Sequence, residues 1–198
     1  MVRHVRSDAV REETSKRSTI LGTAAALFSA HGYHAVGVDK IIAYSGVAKM
    51  TMYRHFPSKD TLVLEVLQKQ MEGVRSALED ATFGRKTMVA KLKAIFDWHD
   101  EWFNSPSFHG CMFMRAASEY NAHDSEIRQV ADDQKRDLID IIHNIMREGG
   151  LRAAKAKRLA SALVMILDGA IISAEVSGNR KAAPEAWAIA KTLLEFEG

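Results

Sequence analysis

Apolar residues recur along this chain at three- and four-residue steps rather than at alternate positions, which is the period of a helix. Ile20, Ala24, Leu27 and Phe28 share one face of a helix expected from about Lys16 to His31, and Gly32 is a natural left-handed stop after it. Val38, Ile41 and Ile42 mark the inner face of a second, short helix from about Val38 to Tyr44, and Gly46 supplies a turn that a residue with a Cβ would resist. In a third helix, about Ala48 to Phe56, Met52 and Phe56 lie four apart and face inward with Val47, which turns Lys49, Met50, Tyr53 and Arg54 outward. Pro57 ends that helix because it disfavours helical geometry in the residue before it. Ser58 is a good N-cap for a long fourth helix from about Lys59 to Ala81.

The helical pattern continues to the end of the chain. Further helices are expected at about 87–104, 109–120, 125–148, 155–177 and 184–196, separated by Asn104-Ser105-Pro106, Gly149-Gly150 and Gly178-Asn179. No alternating strand pattern and no 20–50-residue repeat interrupts it. The fold class is therefore all-α with about nine helices: an N-terminal three-helix domain with a helix–turn–helix, then a C-terminal helical bundle. Residues 1–14 lack apolar periodicity and are expected as a flexible arm. Residues 15–75 form the first domain, with the helix–turn–helix at about 37–56, and 76–198 form the second. The Thr82–Lys86 segment, with Gly84, is the expected junction.

Composition narrows the function classes. A chain of 198 residues has ample size for a packed core, and three prolines suit long helices. One cysteine, Cys111, excludes an internal disulfide and suits a reducing cytosol. The N-terminal segment has no apolar core and is not a signal peptide. The most apolar run, Leu159 to Val176, is interrupted by Ser161, Asp168 and Glu175, so it is expected as a buried or interface helix and not as a membrane span. A cytoplasmic protein follows. The net charge of +2 is unevenly spread: residues 1–60 carry nine Lys/Arg and five Asp/Glu, leaving +4 there and −2 on the rest. A basic end on a mildly acidic body points to a polyanion-binding module joined to a different kind of domain.

The helix–turn–helix pattern sharpens that inference. Two helices joined by a Gly-containing turn place the second across a DNA major groove. Lys49, Thr51, Tyr53, Arg54 and His55 on that second helix are the side chains that meet phosphates and guanine edges. Lys59, in the first turn of the fourth helix, joins its ammonium to the free backbone N–H groups there as a phosphate site. Arg3, Arg6 and Arg11 lie on an arm that reaches a minor groove in some proteins, but Glu12 and Glu13 favour a solvated tail.

The segment from Phe28 to Leu67, FSAHGYHAVGVDKIIAYSGVAKMTMYRHFPSKDTLVLEVL, resembles the DNA-binding domain of TetR/AcrR-type transcriptional regulators. AHGY, the turn at Gly46-Val47 and YRHFPSKD from Tyr53 to Asp60 carry the resemblance. HGCMFMRAASEY (109–120) and LVMILDGAIISAEVSG (163–178) resemble pieces of that family's regulatory domain. The resemblance implies that Lys49, Thr51, Tyr53, Arg54, His55 and Lys59 touch DNA. Tyr53 and His55 would hold phosphates, while Lys49, Met50 and Arg54 would lie nearest the bases. Val38, Ala48 and Met50 depart from the family pattern, where Thr, Ser or Thr, and Gly are frequent. Met50 has a side chain suited to a thymine methyl.

The resemblance further implies a ligand-responsive regulator, most simply a repressor, that binds a pseudo-palindromic double-stranded DNA operator as a homodimer. It implies an unidentified small-molecule effector, no cofactor, no enzymatic activity and no membrane. For the effector pocket, Trp98, Trp102, Phe103, Phe108, Met112, Phe113 and Tyr120 are the aromatic and Met side chains near carboxylates, a combination that suits a cationic aromatic compound. For the dimer surface, Leu163, Ile166, Gly169, Ala170, Ser173 and Ala174 are expected on one helix, with Trp187 and Leu194 on the next. The dispersed histidines and single cysteine give no metal-ligand spacing. A protein-interaction module, or a helical-bundle enzyme with a site among 97–124, are the other readings the residues allow.

Overall fold

The computed structural model describes residues 2–120 and 125–197, with side chains from 14 to 196 in those ranges. Nine helices are found among them: α1 (Val2–His31), α2 (Val38–Ser45), α3 (Lys49–His55), α4 (Lys59–Thr82), α5 (Met88–Phe103), α6 (Met112–Glu119), α7 (Glu126–Glu148), α8 (Ala153–Ser177) and α9 (Ala182–Glu197). The largest departure from the sequence pattern is α1, which begins at Val2 rather than near Lys16. Apolar periodicity reports burial and not helicity. The stretch before Lys16 has no Pro or Gly to break a helix and no apolar stripe to reveal one. The side chains of the arm arginines Arg3, Arg6 and Arg11 lie outside the described residues, as do His123 and Asp124. α6 starts at Met112 instead of 109, because Gly110 has φ +85° and cannot continue a helix.

The packing divides into two compact units, Met1–Gln70 with Met112–Ala131, and Met71–Cys111 with Asp132–Gly198. The division falls inside α4 and α7, not at the Thr82–Lys86 turn, because both helices run on unbroken with different neighbours along their length.

In the first unit α1, α2 and α3 pack on one another. The core holds Ile20, Phe28, Tyr33, Ile41, Met52 and Phe56 without solvent contact, together with Leu62 and Leu67 of α4. In the second unit α9 packs on α5 and α8. Its core includes Leu92, Ile95 and Phe96 of α5 and nine residues of α8 from Ala156 to Ala174. α8 is the one described helix long and apolar enough to cross a bilayer. Its buried residues form a single stripe, and Asp168 on its flank pairs with Lys135 of α7.

A candidate DNA-binding surface

α2 and α3 form a tight helix–turn–helix. Gly46 closes α2 in the left-handed region (φ +67°), and its N–H donates to the Ile42 carbonyl at 3.1 Å. Ala48 is extended (φ −67°, ψ 144°) and opens α3 with no side-chain cap; Gly37 opens α2 in the same way. The absent caps follow from the residue types, since Gly and Ala have no side-chain oxygen to offer. Met52 and Phe56 anchor α3 with no exposed surface, and the Phe56 N–H donates to the Met52 carbonyl at 2.9 Å.

This anchoring turns four of the expected side chains to solvent. Met50 is 81 % exposed and Tyr53 41 %, and Lys49 and Arg54 are exposed beside them. Lys49 is only loosely held, with Nζ 3.4 Å from Asp39 on an open surface. Thr51 and His55 are half-buried, and the His55 ring lies 6.3 Å from that of Phe56. These two therefore stand at the flank of the face, not at its crest. Tyr44 of α2 is also exposed, at 70 %, and sequence reasoning did not single it out. Its helical phase was legible, but an aromatic on a short helix reads first as core.

Lys59 stands half-buried at the start of α4, with no ion-pair partner among the described residues. The Ser58 hydroxyl accepts from the Thr61 N–H at 3.1 Å, which fixes the helix start. Arg17 of α1 ties this corner together: its guanidinium lies 5.1 Å from the Phe56 ring centroid and pairs with Glu65 of α4. Sequence reasoning missed Arg17, because no local pattern shows which distant ring it covers.

α6 belongs to the same unit. Glu119 accepts from the Tyr33 N–H at 3.0 Å and the His34 N–H at 2.5 Å, closing the turn after α1. Arg115 donates to the Ser29 carbonyl at 2.6 Å, and the Tyr33 hydroxyl donates to the Met112 carbonyl at 3.0 Å. The Tyr120 ring meets Tyr33 edge-on at 6.0 Å. Burial, with the Asp60 and Glu119 carboxylates adding to it, pushes the Tyr120 hydroxyl up to about 12.

The seven residues expected to line an effector pocket do not gather in one place. Met112, Phe113 and Tyr120 belong to the first unit, where α6 packs toward Tyr33. Trp98, Trp102, Phe103 and Phe108 form one aromatic cluster in the second unit, with centroids of successive rings 5.0–5.8 Å apart. Phe103, Phe108 and Phe113 are core residues. His99 is buried in that cluster, and its Nδ1–H donates to the Ile95 carbonyl at 2.8 Å. Burial lowers its pKa to about 4, against the lift from that hydrogen bond and with a further push from the Lys135 charge.

The expected dimer residues also divide. Leu163, Ala170 and Ala174 are buried within the protomer and so are not on an outer face. Trp187 packs on Phe96 at 5.3 Å, and Leu194 is half-buried. Gly169 is exposed, and Ile166 and Ser173 are half-buried. The outer face of α8 carries a different apolar stripe: Met165 (67 % exposed), Gly169, Ile172 and Val176 (76 %), with Ile189 and Phe196 exposed on α9. Steps of four, three and four place that stripe opposite the buried one.

Comparison with known proteins agrees with this architecture. Residues 20–66 match the family model for bacterial regulatory proteins of the tetR family. Residues 88–183 match the C-terminal domain of LmrA/YxaF-like transcriptional regulators. The chain is 32 % identical over 157 residues to the HTH-type transcriptional activator FasR of Mycolicibacterium smegmatis, covering 76 % of this chain and 68 % of that one. It is 23 % identical over 171 residues to the HTH-type transcriptional regulator LmrA of Bacillus subtilis, covering 82 % and 88 %. The crystal structure of SCO4454, a TetR-family transcriptional regulator from Streptomyces coelicolor, superposes with a TM-score of 0.86 at 26 % identity, covering 92 % and 95 %. The outward basic and aromatic face of α3, its anchoring by Met52 and Phe56, and these matches together establish that the chain belongs to the TetR family of DNA-binding transcriptional regulators.

Proposed function

We propose that this protein is a cytoplasmic, ligand-responsive homodimer that represses transcription by occupying a pseudo-palindromic operator. The exposed row Lys49, Met50, Tyr53 and Arg54 on α3, anchored by the buried Met52 and Phe56, carries the reading. Tyr53 and Lys59 hold phosphates on the two sides of the groove, with His55 and Thr51 at the flank, while Lys49, Met50 and Arg54 address base edges. A single seven-residue helix makes few contacts. Two copies held ~34–36 Å apart by a dimer multiply them. The apolar stripe of Met165, Gly169, Ile172 and Val176, with Ile189 and Phe196, supports that dimer, because burying it against a second copy removes it from water.

An effector held in the C-terminal helices shifts operator affinity only if it prefers the DNA-incompetent state, and a typical coupling of ~1–3 kcal/mol corresponds to about 5–150-fold. Activation is the second reading, favoured by the similarity to FasR, a transcriptional activator. Selection of bound DNA from a genomic pool, followed by anisotropy titration over a range of salt, tests the regulator. Binding should weaken steeply as counterion release loses its drive. A flat salt response or no selected sequence refutes it. Transcription in vitro from the selected promoter separates repression from activation.

A further inference from the structure

Within the first unit, α1 ends at His31 because Gly32 takes φ +83°, and the main-chain groups that a continued helix would pair come apart. α6 takes both halves of the broken ladder. The Ser29 carbonyl accepts from Arg115 at 2.6 Å, while the Tyr33 N–H, one turn further on, donates to Glu119 Oε1 at 3.0 Å. The His34 N–H donates to the other oxygen of the same carboxylate at 2.5 Å. Gly32 leaves room for this carboxylate, since a Cβ there would lie 2.7 Å from Glu119 Oε1. The buried Tyr33 also donates its hydroxyl to the Met112 carbonyl, so it is held at both ends of α6. His34 Nε2 donates to the main-chain carbonyl of Glu119 at 2.8 Å, with the Tyr120 ring 4.9 Å from its own.

The turn held in this way leads directly into the reading helices. α2 begins at Val38 after Gly37, and α3 at Lys49 after Ala48, and neither start has a side-chain cap. Burial of Val36 and Ile41 keeps the turn and α2 against the core. Apolar burial is non-directional, however, and does not by itself fix the angle at which the chain enters α2. Hydrogen bonds to a carboxylate and from a guanidinium are directional and charge-assisted, the stronger kind. The helix–turn–helix lacks such bonds at its own helix starts and receives them at the preceding turn from residues more than 80 positions away.

We infer that Arg115 and Glu119 are positioning residues for DNA recognition: they touch no DNA, and they set the turn from which α2 and α3 are aimed. The inference rests on DNA binding, which the family establishes, and on neither the dimer nor the effector. For Glu119, charge alone argues the other way. A carboxylate in a unit that meets phosphates repels them, so removing it strengthens DNA binding if charge is all it brings. Removing a positioning group weakens binding instead. The loss falls on sequence recognition, which needs α3 in register with base edges, and spares the non-specific attraction of phosphates.

The test is anisotropy titration of the full chain, well below its melting point, with two duplexes of equal length: one that the wild type selects from a genomic pool, and one of random sequence. Glu119→Ala should weaken the selected duplex by at least about tenfold, the difference a hydrogen bond to a charged group makes. It should move the random duplex by less than about twofold, because phosphate attraction is kept. Glu119→Gln loses the charge but keeps an acceptor oxygen, and should stay within about threefold of wild type. Glu119→Asp keeps the charge but falls one methylene short of the turn, and should weaken the selected duplex by at least about fivefold. Arg115→Met should weaken it by a similar factor. The Asp variant, a gentler change, carries the test if Glu119→Ala does not fold. Amide hydrogen exchange reads the hydrogen bonds without DNA: Tyr33 and His34 should exchange at least about tenfold faster in the Ala or Asp variant than in the wild type. Tighter binding in Glu119→Ala, equal losses on the two duplexes, wild-type affinity in Glu119→Asp, or unchanged exchange at both amides overturns the inference.

Discussion

Acidification should destabilise this protein through His99, and the variant His99→Phe should remove that sensitivity. The ring is buried against Trp98 and Trp102, and its one hydrogen bond among the described residues is a donation from Nδ1 to a carbonyl, which the neutral form supplies. Burial holds the folded pKa at about 4 against an ordinary 6.5. Between those values the unfolded chain binds a proton that the folded chain refuses, so stability falls as pH drops through 6.5 and levels off below 4. At about 1.36 kcal/mol per pH unit the full loss is about 3 kcal/mol, with roughly 2 kcal/mol gone by pH 5. That is a large share of a typical folding stability of ~5–15 kcal/mol. In His99→Phe the Ile95 carbonyl keeps its main-chain helix partner, and a Phe ring suits the aromatic surroundings. The assay is the thermal midpoint of both proteins from pH 7.5 to 5, a window in which most carboxylates stay ionised. The wild type should lose roughly 4–8 °C more than the variant over that range. Parallel curves would refute the buried, neutral assignment of His99.

Tyr53→Phe and Lys59→Ala should each weaken binding to every selected operator while leaving the melting point in place; unchanged dissociation constants at physiological salt would remove the phosphate roles. Met50→Gly should alter the sequences selected more than the affinity, and identical selected pools would show that Met50 reads nothing. Val176→Glu places a charge in the exposed apolar stripe of α8 and should raise the dimer dissociation constant by at least about tenfold in sedimentation equilibrium. An unaltered dimer would place the interface elsewhere. Gly46→Ala should cost ~1–2 kcal/mol of stability in the reading unit, since φ +67° strains any residue with a Cβ; urea unfolding checks it.

Local chemistry along the chain was enough to define the helices and the turn that reads DNA. Periodic apolar positions, Gly46, Pro57 and Ser58 act through backbone geometry over a few residues, so they locate α2, α3 and the start of α4 closely. The inner and outer sets of α3 were legible for the same reason, with Met52 and Phe56 inside and Met50 and Tyr53 outside. Where a pattern had no burial behind it, as in the first turns of α1, helicity left no trace in the periodicity.

What only the tertiary structure decided was which face of a long helix meets which neighbour. α8 carries apolar residues on opposite sides, and only its packing on α9 and α5 turned Leu163, Ala170 and Ala174 inward and left Met165, Ile172 and Val176 outside. The aromatic and Met residues from Trp98 to Tyr120 looked like one lining, yet they serve two packing units, since neighbours in sequence need not share a core. Arg17 over Phe56 and Glu119 on the Tyr33 turn join residues 39 and 86 positions apart. No local propensity encodes such meetings. They exist because long-range burial of apolar surface fixes the helices, and the polar groups then find the partners that packing brings within reach.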